Sequence, residues 1–152
     1  GILGFGFLAM HGNDTKTMKA AVKGRGNAPL KLLAVTVLTS LDQNDLADQG
    51  IMMTPQELVL KRARLAHDAG IDGVIASGQE AAGIRAATSS KFLIITPGIR
   101  LPGGDAGDQK RITTPEDALR AGANHLVVGR PITAARDPKR AAESVLEHIA
   151  RA

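Results

Sequence analysis

Residues 66–78 read Ala-His-Asp-Ala-Gly-Ile-Asp-Gly-Val-Ile-Ala-Ser-Gly, and residues 118–130 read Ala-Leu-Arg-Ala-Gly-Ala-Asn-His-Leu-Val-Val-Gly-Arg. The two align without a gap. Each reads as a helix end, an Ala-Gly turn, an Asp or Asn, and then a short buried strand. The Gly supplies the left-handed residue that closes a helix, and the strand follows two residues later. One αβ unit is therefore used twice, and the chain belongs to the alternating α/β class.

The same alternation extends outward in both directions. Leu32 to Leu38 is a seven-residue apolar run rich in β-branched side chains, the pattern of a parallel strand covered on both faces. Phe5–Met10, Gly73–Ala76, Phe92–Thr96 and Leu126–Val128 are the other strand candidates. Between them, Thr15–Lys23 follows the cap-like His11-Gly12-Asn13-Asp14. Thr54-Pro55-Gln56-Glu57 opens a helix running to about Ala69, with Thr as N-cap, Pro at the first position and an acid in the first turn. Thr114-Pro115-Glu116-Asp117 repeats that chemistry; Gly78–Ala87 and Pro138–Ala150 complete the helices. Such alternation implies parallel strands joined by right-handed crossovers. A doubly wound sheet would be complete at this length. A (β/α)₈ barrel takes about 250 residues, roughly 30 per unit, so this chain supplies only about five units. Architecture alone favours the doubly wound sheet.

Composition narrows the classes further. The 152 residues include no Cys, Trp or Tyr and three Phe, so the core is built from Leu, Ile, Val, Ala and Met, and thiolate metal sites and disulfides are excluded. An apolar fraction of 43% argues against disorder. The formal charge is +4, but the basic residues are scattered. Their densest cluster, Lys61-Arg62-Ala63-Arg64, reads as a solvated helix face, and no aromatics interleave the charges, so no nucleic-acid partner is expected. No apolar run reaches the ~18 residues of a membrane span. Residues 1–10 lack the basic lead-in of a secretory signal. The expectation is a cytoplasmic protein with no membrane partner. The Met-less start, Gly-Ile-Leu-Gly, suggests a processed or truncated beginning.

In either architecture, chemistry sits after the C-terminal ends of the strands. Those positions hold Thr39-Ser40, Ser77-Gly78, Pro97-Gly98-Ile99-Arg100 and Gly129-Arg130. Hydroxyls, Gly and Arg dominate there, with almost no carboxylate or His. Such an inventory binds an anion better than it moves protons. Gly129-Arg130 is the sharpest signal: Gly lets the backbone approach a phosphate, and Arg offers a bidentate fork. Pro131-Ile132-Thr133-Ala134 would add a short helical turn beside it. The loop from Ile99 to Ile112 is long enough to fold over a ligand, with Arg100, Gln109 or Arg111 reaching inward. His11, His67, His125 and His148 share no ligand spacing, so no metal is expected. Asp14-Thr15-Lys16 reads as a helix cap, and Asp105 and Asp108 as solvated loop acids.

Taken in order, Leu33-Ala-Val-Thr-Val-Leu-Thr-Ser40, Asp72-Gly-Val-Ile-Ala-Ser77, Thr96-Pro-Gly-Ile-Arg100, Gly107-Asp-Gln-Lys-Arg111 with Thr114-Pro115, and Leu126-Val-Val-Gly-Arg-Pro-Ile132 resemble the bacterial orotidine 5′-phosphate decarboxylases. The resemblance runs from about Phe7 to the end. It implies a (β/α)₈ barrel of the ribulose-phosphate-binding type, with residues 1–152 as a single partial barrel holding strands four to eight. That reverses the architectural preference above. It further implies that Thr39 contacts the nucleotide after the fifth strand. Arg100 and Gln109 would come from the loop after the seventh, and Gly129 and Arg130 would form the phosphate site after the eighth. The implied reaction converts orotidine 5′-monophosphate to UMP and CO₂ without metal or organic cofactor, in a homodimer. Remote phosphate binding energy would stabilise a carbanion-like transition state.

One departure is large. The family's catalytic Asp and Lys residues form an Asp-x-Lys-x-x-Asp pattern at the third strand, and that region is absent from this sequence. Asp14-Thr15-Lys16 is no substitute, because Lys19 stands where the second Asp belongs. No catalytic residue is assigned, and the 152 residues alone are expected to bind phosphate weakly without decarboxylating. A sister sugar-phosphate decarboxylase or aldolase, and a half-barrel binding or assembly module, are the alternatives.

Overall fold

A computed structural model describes residues 6–152. Five strands form one parallel sheet: β1 (Phe7–His11), β2 (Lys31–Val35), β3 (Gly73–Ile75), β4 (Leu93–Thr96) and β5 (His125–Leu126). Among the described residues seven helices connect and follow them: α1 (Thr15–Arg25), α2 (Gln43–Asp48), α3 (Pro55–Asp68), α4 (Gly78–Ala87), α5 (Pro115–Arg120), α6 (Arg130–Thr133) and α7 (Pro138–Ala150).

The spatial strand order is β1-β2-β3-β4-β5, the same as the chain order. A doubly wound sheet reverses direction at a switch point. Here there is none, so right-handed crossovers place the intervening helices on one face. The sheet also curls. Four strand spacings span roughly 19 Å in a flat sheet, yet the rings of Phe7 on β1 and His125 on β5 lie 5.7 Å apart, centroid to centroid. Both side chains share the concave face. The architecture is that of part of a (β/α)₈ barrel, and the doubly wound alternative is ruled out.

Strand residues alternate between two environments. Leu32, Ala34, Val74 and Ile94 pack outward against Met18, Leu58, Val59, Ala63, Ala66, Ala81 and Ile84 of the helices. The alanines let α3 and α4 approach the sheet closely. Each large aliphatic side chain fully buried there contributes about 1.5–3 kcal/mol. The concave side is less covered at its edge, where Phe7 stays 48% exposed.

The repeated αβ unit has a physical reason. Gly70 and Gly122 take φ of 86° and 106° and close α3 and α5. Two residues on, Asp72 and Asn124 do the same job. Asp72 accepts from the Leu32 amide at 2.8 Å and from Arg25 of α1. Asn124 accepts from the Ile94 amide at 2.8 Å and from Arg85 of α4 at 2.8 Å. In both copies a short side-chain oxygen stitches the incoming strand to its neighbour and to the helix beside it.

Some boundaries differ from the sequence expectation. Phe5 lies outside the described residues. The Leu32–Leu38 run leaves the sheet after Val35, because Thr36, Val37 and Leu38 turn into the loop that carries Thr39. The last strand is His125–Leu126 rather than Leu126–Val128. Helix α2 was not anticipated, although Asp42 and Asp45 form a reciprocal capping box at its start. The Lys61–Arg64 cluster divides: Ala63 is core, Arg62 donates to the Thr36 carbonyl, and only Lys61 and Arg64 face solvent.

Candidate functional site

Thr39, Arg100, Gln109, Gly129 and Arg130 all lie beyond the C-terminal ends of β2, β4 and β5. The loop after β4 sets their arrangement. It leaves through Gly98, whose φ of 75° is left-handed, and returns beside its own start through an Ile99–Thr113 bridge. A Cβ on Gly98 would stand 2.9 Å from the Arg111 carbonyl oxygen, so this crossing needs Gly on both counts.

Three of the expected residues are joined in one polar chain. The Thr39 hydroxyl donates to Gln109 Oε1, and Gln109 Nε2 donates to Asp108 Oδ1 at 3.1 Å. Arg130 Nη2 donates to the same Asp108 oxygen. Arg130 foremost, and Gln109 after it, hold the Asp108 carboxyl below the usual range. A cleft of about 440 Å³ lies beside this chain, with Arg100, Gly107, Arg130 and Pro131 in its walls.

The two arginines differ in what they have left to offer. Arg100 is buried and donates to the carbonyls of Ile99, Asp105 and Ala106 at 2.8, 2.8 and 3.1 Å. Its guanidinium shapes the loop backbone rather than presenting a free fork. Arg130 is exposed, and among the described residues only the Asp108 carboxylate engages its side chain. Nothing lies within 4 Å of where a Gly129 Cβ would be, so the backbone there is open to a ligand. The short turn after it is α6, as expected, but its amides are largely spent. Pro131 has none, and those of Ile132 and Thr133 donate to the Gly129 carbonyl at 2.9 and 3.0 Å. At this corner the Arg130 side chain is the exposed cationic group.

The far end of the loop is anchored. The amides of Lys110 and Arg111 both donate to the Thr39 carbonyl, at 3.0 and 3.1 Å. Lys110 Nζ bridges Asp42 and Asp45 at 2.8 and 2.7 Å. The Lys110 hydrogen bond, followed by the Asp45 amide, lowers the Asp42 carboxyl to about 2. Arg111 does not reach toward the cleft; it turns away from it, onto Glu80. Lys110 and Glu80 were missed by sequence reasoning, and Asp108, expected as a solvated loop acid, instead pairs with Arg130. The Asp42-x-x-Asp45 spacing of a capping box is the one local signal that could have pointed toward the Lys110 partners.

The remaining candidates have structural roles. Asp14 caps α1 through the Thr17 amide at 2.7 Å. His67 stacks edge-on against Phe92, and His148 contacts Glu116. Among the described residues no three His, Asp or Glu side chains are grouped to hold a metal ion. No described helix is long and apolar enough to cross a membrane.

The sequence profile of the orotidine 5′-phosphate decarboxylase / HUMPS family matches residues 7–145. An orotidine 5′-phosphate decarboxylase of Nitrobacter winogradskyi is 51% identical over 146 residues, covering 96% of this chain and 60% of that protein. One from Rhodopseudomonas palustris is 53% identical over 150 residues, covering 99% and 63%. The crystal structure of the Lactobacillus acidophilus orotidine 5′-phosphate decarboxylase superposes with a TM-score of 0.74 at 36% identity, over 94% of this chain and 62% of that one. The chain thus spans about three fifths of the length of the relatives it matches.

Proposed function

The chain belongs to the orotidine 5′-phosphate decarboxylase / HUMPS family, and from that premise we propose that it is the nucleotide-binding portion of an orotidine 5′-monophosphate decarboxylase. On this reading β1 to β5 are barrel strands four to eight. The whole enzyme, a cytoplasmic homodimer, converts orotidine 5′-monophosphate to UMP and CO₂. The observation that carries the reading is the polar chain Thr39–Gln109–Asp108–Arg130 beside the cleft.

Each residue then has a task. Arg130 offers its guanidinium to the phosphate, and Gly129 lets the backbone come close. The Thr39 hydroxyl and the Gln109 carboxamide offer donor and acceptor atoms to the base and ribose side of the nucleotide. Arg100 holds the loop in shape around them. Phosphate gripped at a distance from the reacting carbon supplies binding energy that the whole enzyme spends on its transition state. The 152-residue sequence contains no Asp-x-Lys-x-x-Asp pattern. Binding without turnover is therefore the expected behaviour of this chain.

Titration of the purified chain with UMP, uridine and ribose 5-phosphate tests the reading. UMP should bind most tightly, uridine should fail for lack of phosphate, and ribose 5-phosphate should bind more weakly than UMP. Equal binding of UMP and ribose 5-phosphate would favour a sister sugar-phosphate enzyme. UMP formation from orotidine 5′-monophosphate by the chain alone would refute the assignment of catalysis to residues outside it.

A further inference from the structure

Beneath the loop after β4 lies a buried ion pair. Arg111 Nη1 donates to Glu80 Oε1 at 2.7 Å, and the two side chains are 6% and 2% exposed. Arg111 Nη2 donates to the carbonyls of Val37 and Leu38 at 3.0 Å each. The Arg111 amide donates to the Thr39 carbonyl, and the Arg111 carbonyl accepts from Ser77 Oγ at 3.3 Å. One residue thereby ties the end of the loop to the exit of β2 and to the cap of α4.

Stability is a poor reason for such a pair. Desolvating two charges costs as much as their attraction returns, and apolar side chains of similar volume often do as well or better. This pair is also incompletely satisfied, since Glu80 Oε2 and Arg111 Nε have no hydrogen-bond partner among the described residues. Burial pushes the Glu80 carboxyl up, with Arg111 pulling it back. What an apolar pair would lack is direction. It could not grip the two carbonyls immediately before Thr39 while holding the backbone two residues after Gln109.

We infer that Glu80 and Arg111 are positioning residues of the nucleotide site, holding the Gln109–Arg111 segment against Thr39 so that hydroxyl and carboxamide are preset for the ligand. The inference rests on the nucleotide reading of that site. Glu80 and Arg111 touch no ligand themselves.

The test compares the chain with the double variant Glu80→Met/Arg111→Met and with Arg111→Lys. Three quantities are read: the thermal midpoint, hydrogen exchange at the Lys110 and Arg111 amides, and affinity for UMP. The double variant should melt near the parent temperature or above it. Its two amides should exchange at least about tenfold faster, and UMP should bind about tenfold or more weakly. Arg111→Lys, which cannot reach Glu80 and both carbonyls at once, should shift exchange and affinity in the same direction by less. A folded double variant with unchanged exchange and unchanged UMP affinity would overturn the inference. Should the double variant not fold, unchanged exchange and affinity in Arg111→Lys would do the same. Faster exchange in a double variant of a chain that never bound UMP would uphold the anchoring and refute the nucleotide reading.

Discussion

Arg130 at the start of α6 already holds a carboxylate, that of Asp108 from the opposite loop. The contact uses one nitrogen of the guanidinium, Nη2, so on the proposed reading an incoming phosphate dianion must displace Asp108 or share Arg130 with it. Both side chains are more than half exposed, at 54% and 64%, and exposed pairs hold weakly. The displacement cost is therefore small but measurable. Asp108→Asn should bind inorganic phosphate and UMP a few-fold more tightly at low salt, with the gain fading as salt rises. A few-fold loss in the titration would instead make Asp108 part of the binding machinery.

On the proposed reading, Thr39 allows the phosphate and base ends of the site to be separated. Its hydroxyl donates to Gln109 Oε1 in a nearly closed environment. Thr39→Val keeps the shape and removes the donor, leaving a carboxamide oxygen without its partner. About 1 kcal/mol of stability should be lost. Affinity for UMP should fall while affinity for inorganic phosphate, gripped by Arg130, stays level. Parallel losses for both ligands would place Thr39 in the phosphate corner.

The Lys110 clamp makes a prediction about pH. Asp42 titrates at about 2 in the folded chain against an ordinary 3.8, so its stabilising contribution is complete above about pH 4 and is lost only as pH falls toward 2. Asp42 and Asp45 raise Lys110 above its ordinary 10.5, so its contribution is complete below that value and is lost above it. Between these limits the clamp is constant. UMP affinity measured from pH 5 to 9 should therefore follow the ligand's own second ionisation near pH ~6, rising to a plateau as the dianion forms. Burial raises the Glu80 carboxyl, so its ionisation costs stability as pH rises through its folded value. An inflection from that source should vanish in Glu80→Met/Arg111→Met. A further inflection that survives the double variant would show that another protein group titrates with binding.

Much of this was legible in the residues themselves. Helix starts at Thr54-Pro55 and Thr114-Pro115 depend on neighbours three residues away, and the structure places α3 and α5 there. The repeated Ala-Gly turn was equally local. Strand order was not legible, because the choice between a switch point and a sequential sheet is made by packing between distant units; the motif order supplied it through family resemblance. At the site, Gly129-Arg130 stood out because Gly opens the backbone and Arg offers a bidentate fork, and the loop after β4 stood out by its length. Glu80 did not. In sequence it is an ordinary first-turn acid of α4, and only the fold brings Arg111, 31 residues later, onto it. Likewise nothing near Asp108 in the chain announces Arg130, 22 residues away.

The repeated unit can be tested by exchange of its two key side chains. Asp72 and Asn124 each present one oxygen to a strand amide, Leu32 N and Ile94 N, both at 2.8 Å. That oxygen survives in Asp72→Asn and in Asn124→Asp, and each substitution keeps an Arg beside it, Arg25 or Arg85. Either change should move the thermal midpoint only slightly. Asp72→Leu and Asn124→Leu have no acceptor to offer. A part-buried amide left unpaired costs about 1–3 kcal/mol, which in a domain of this size lowers the midpoint by roughly 2–4 °C per kcal/mol. Because the two sites serve different strand pairs, β2 with β3 and β4 with β5, their losses should add in the double leucine variant. If Asp72→Asn proved as damaging as Asp72→Leu, the ion pair with Arg25 would be the essential contact at that copy, and the two halves of the repeat would be alike in sequence but not in how they hold the sheet together.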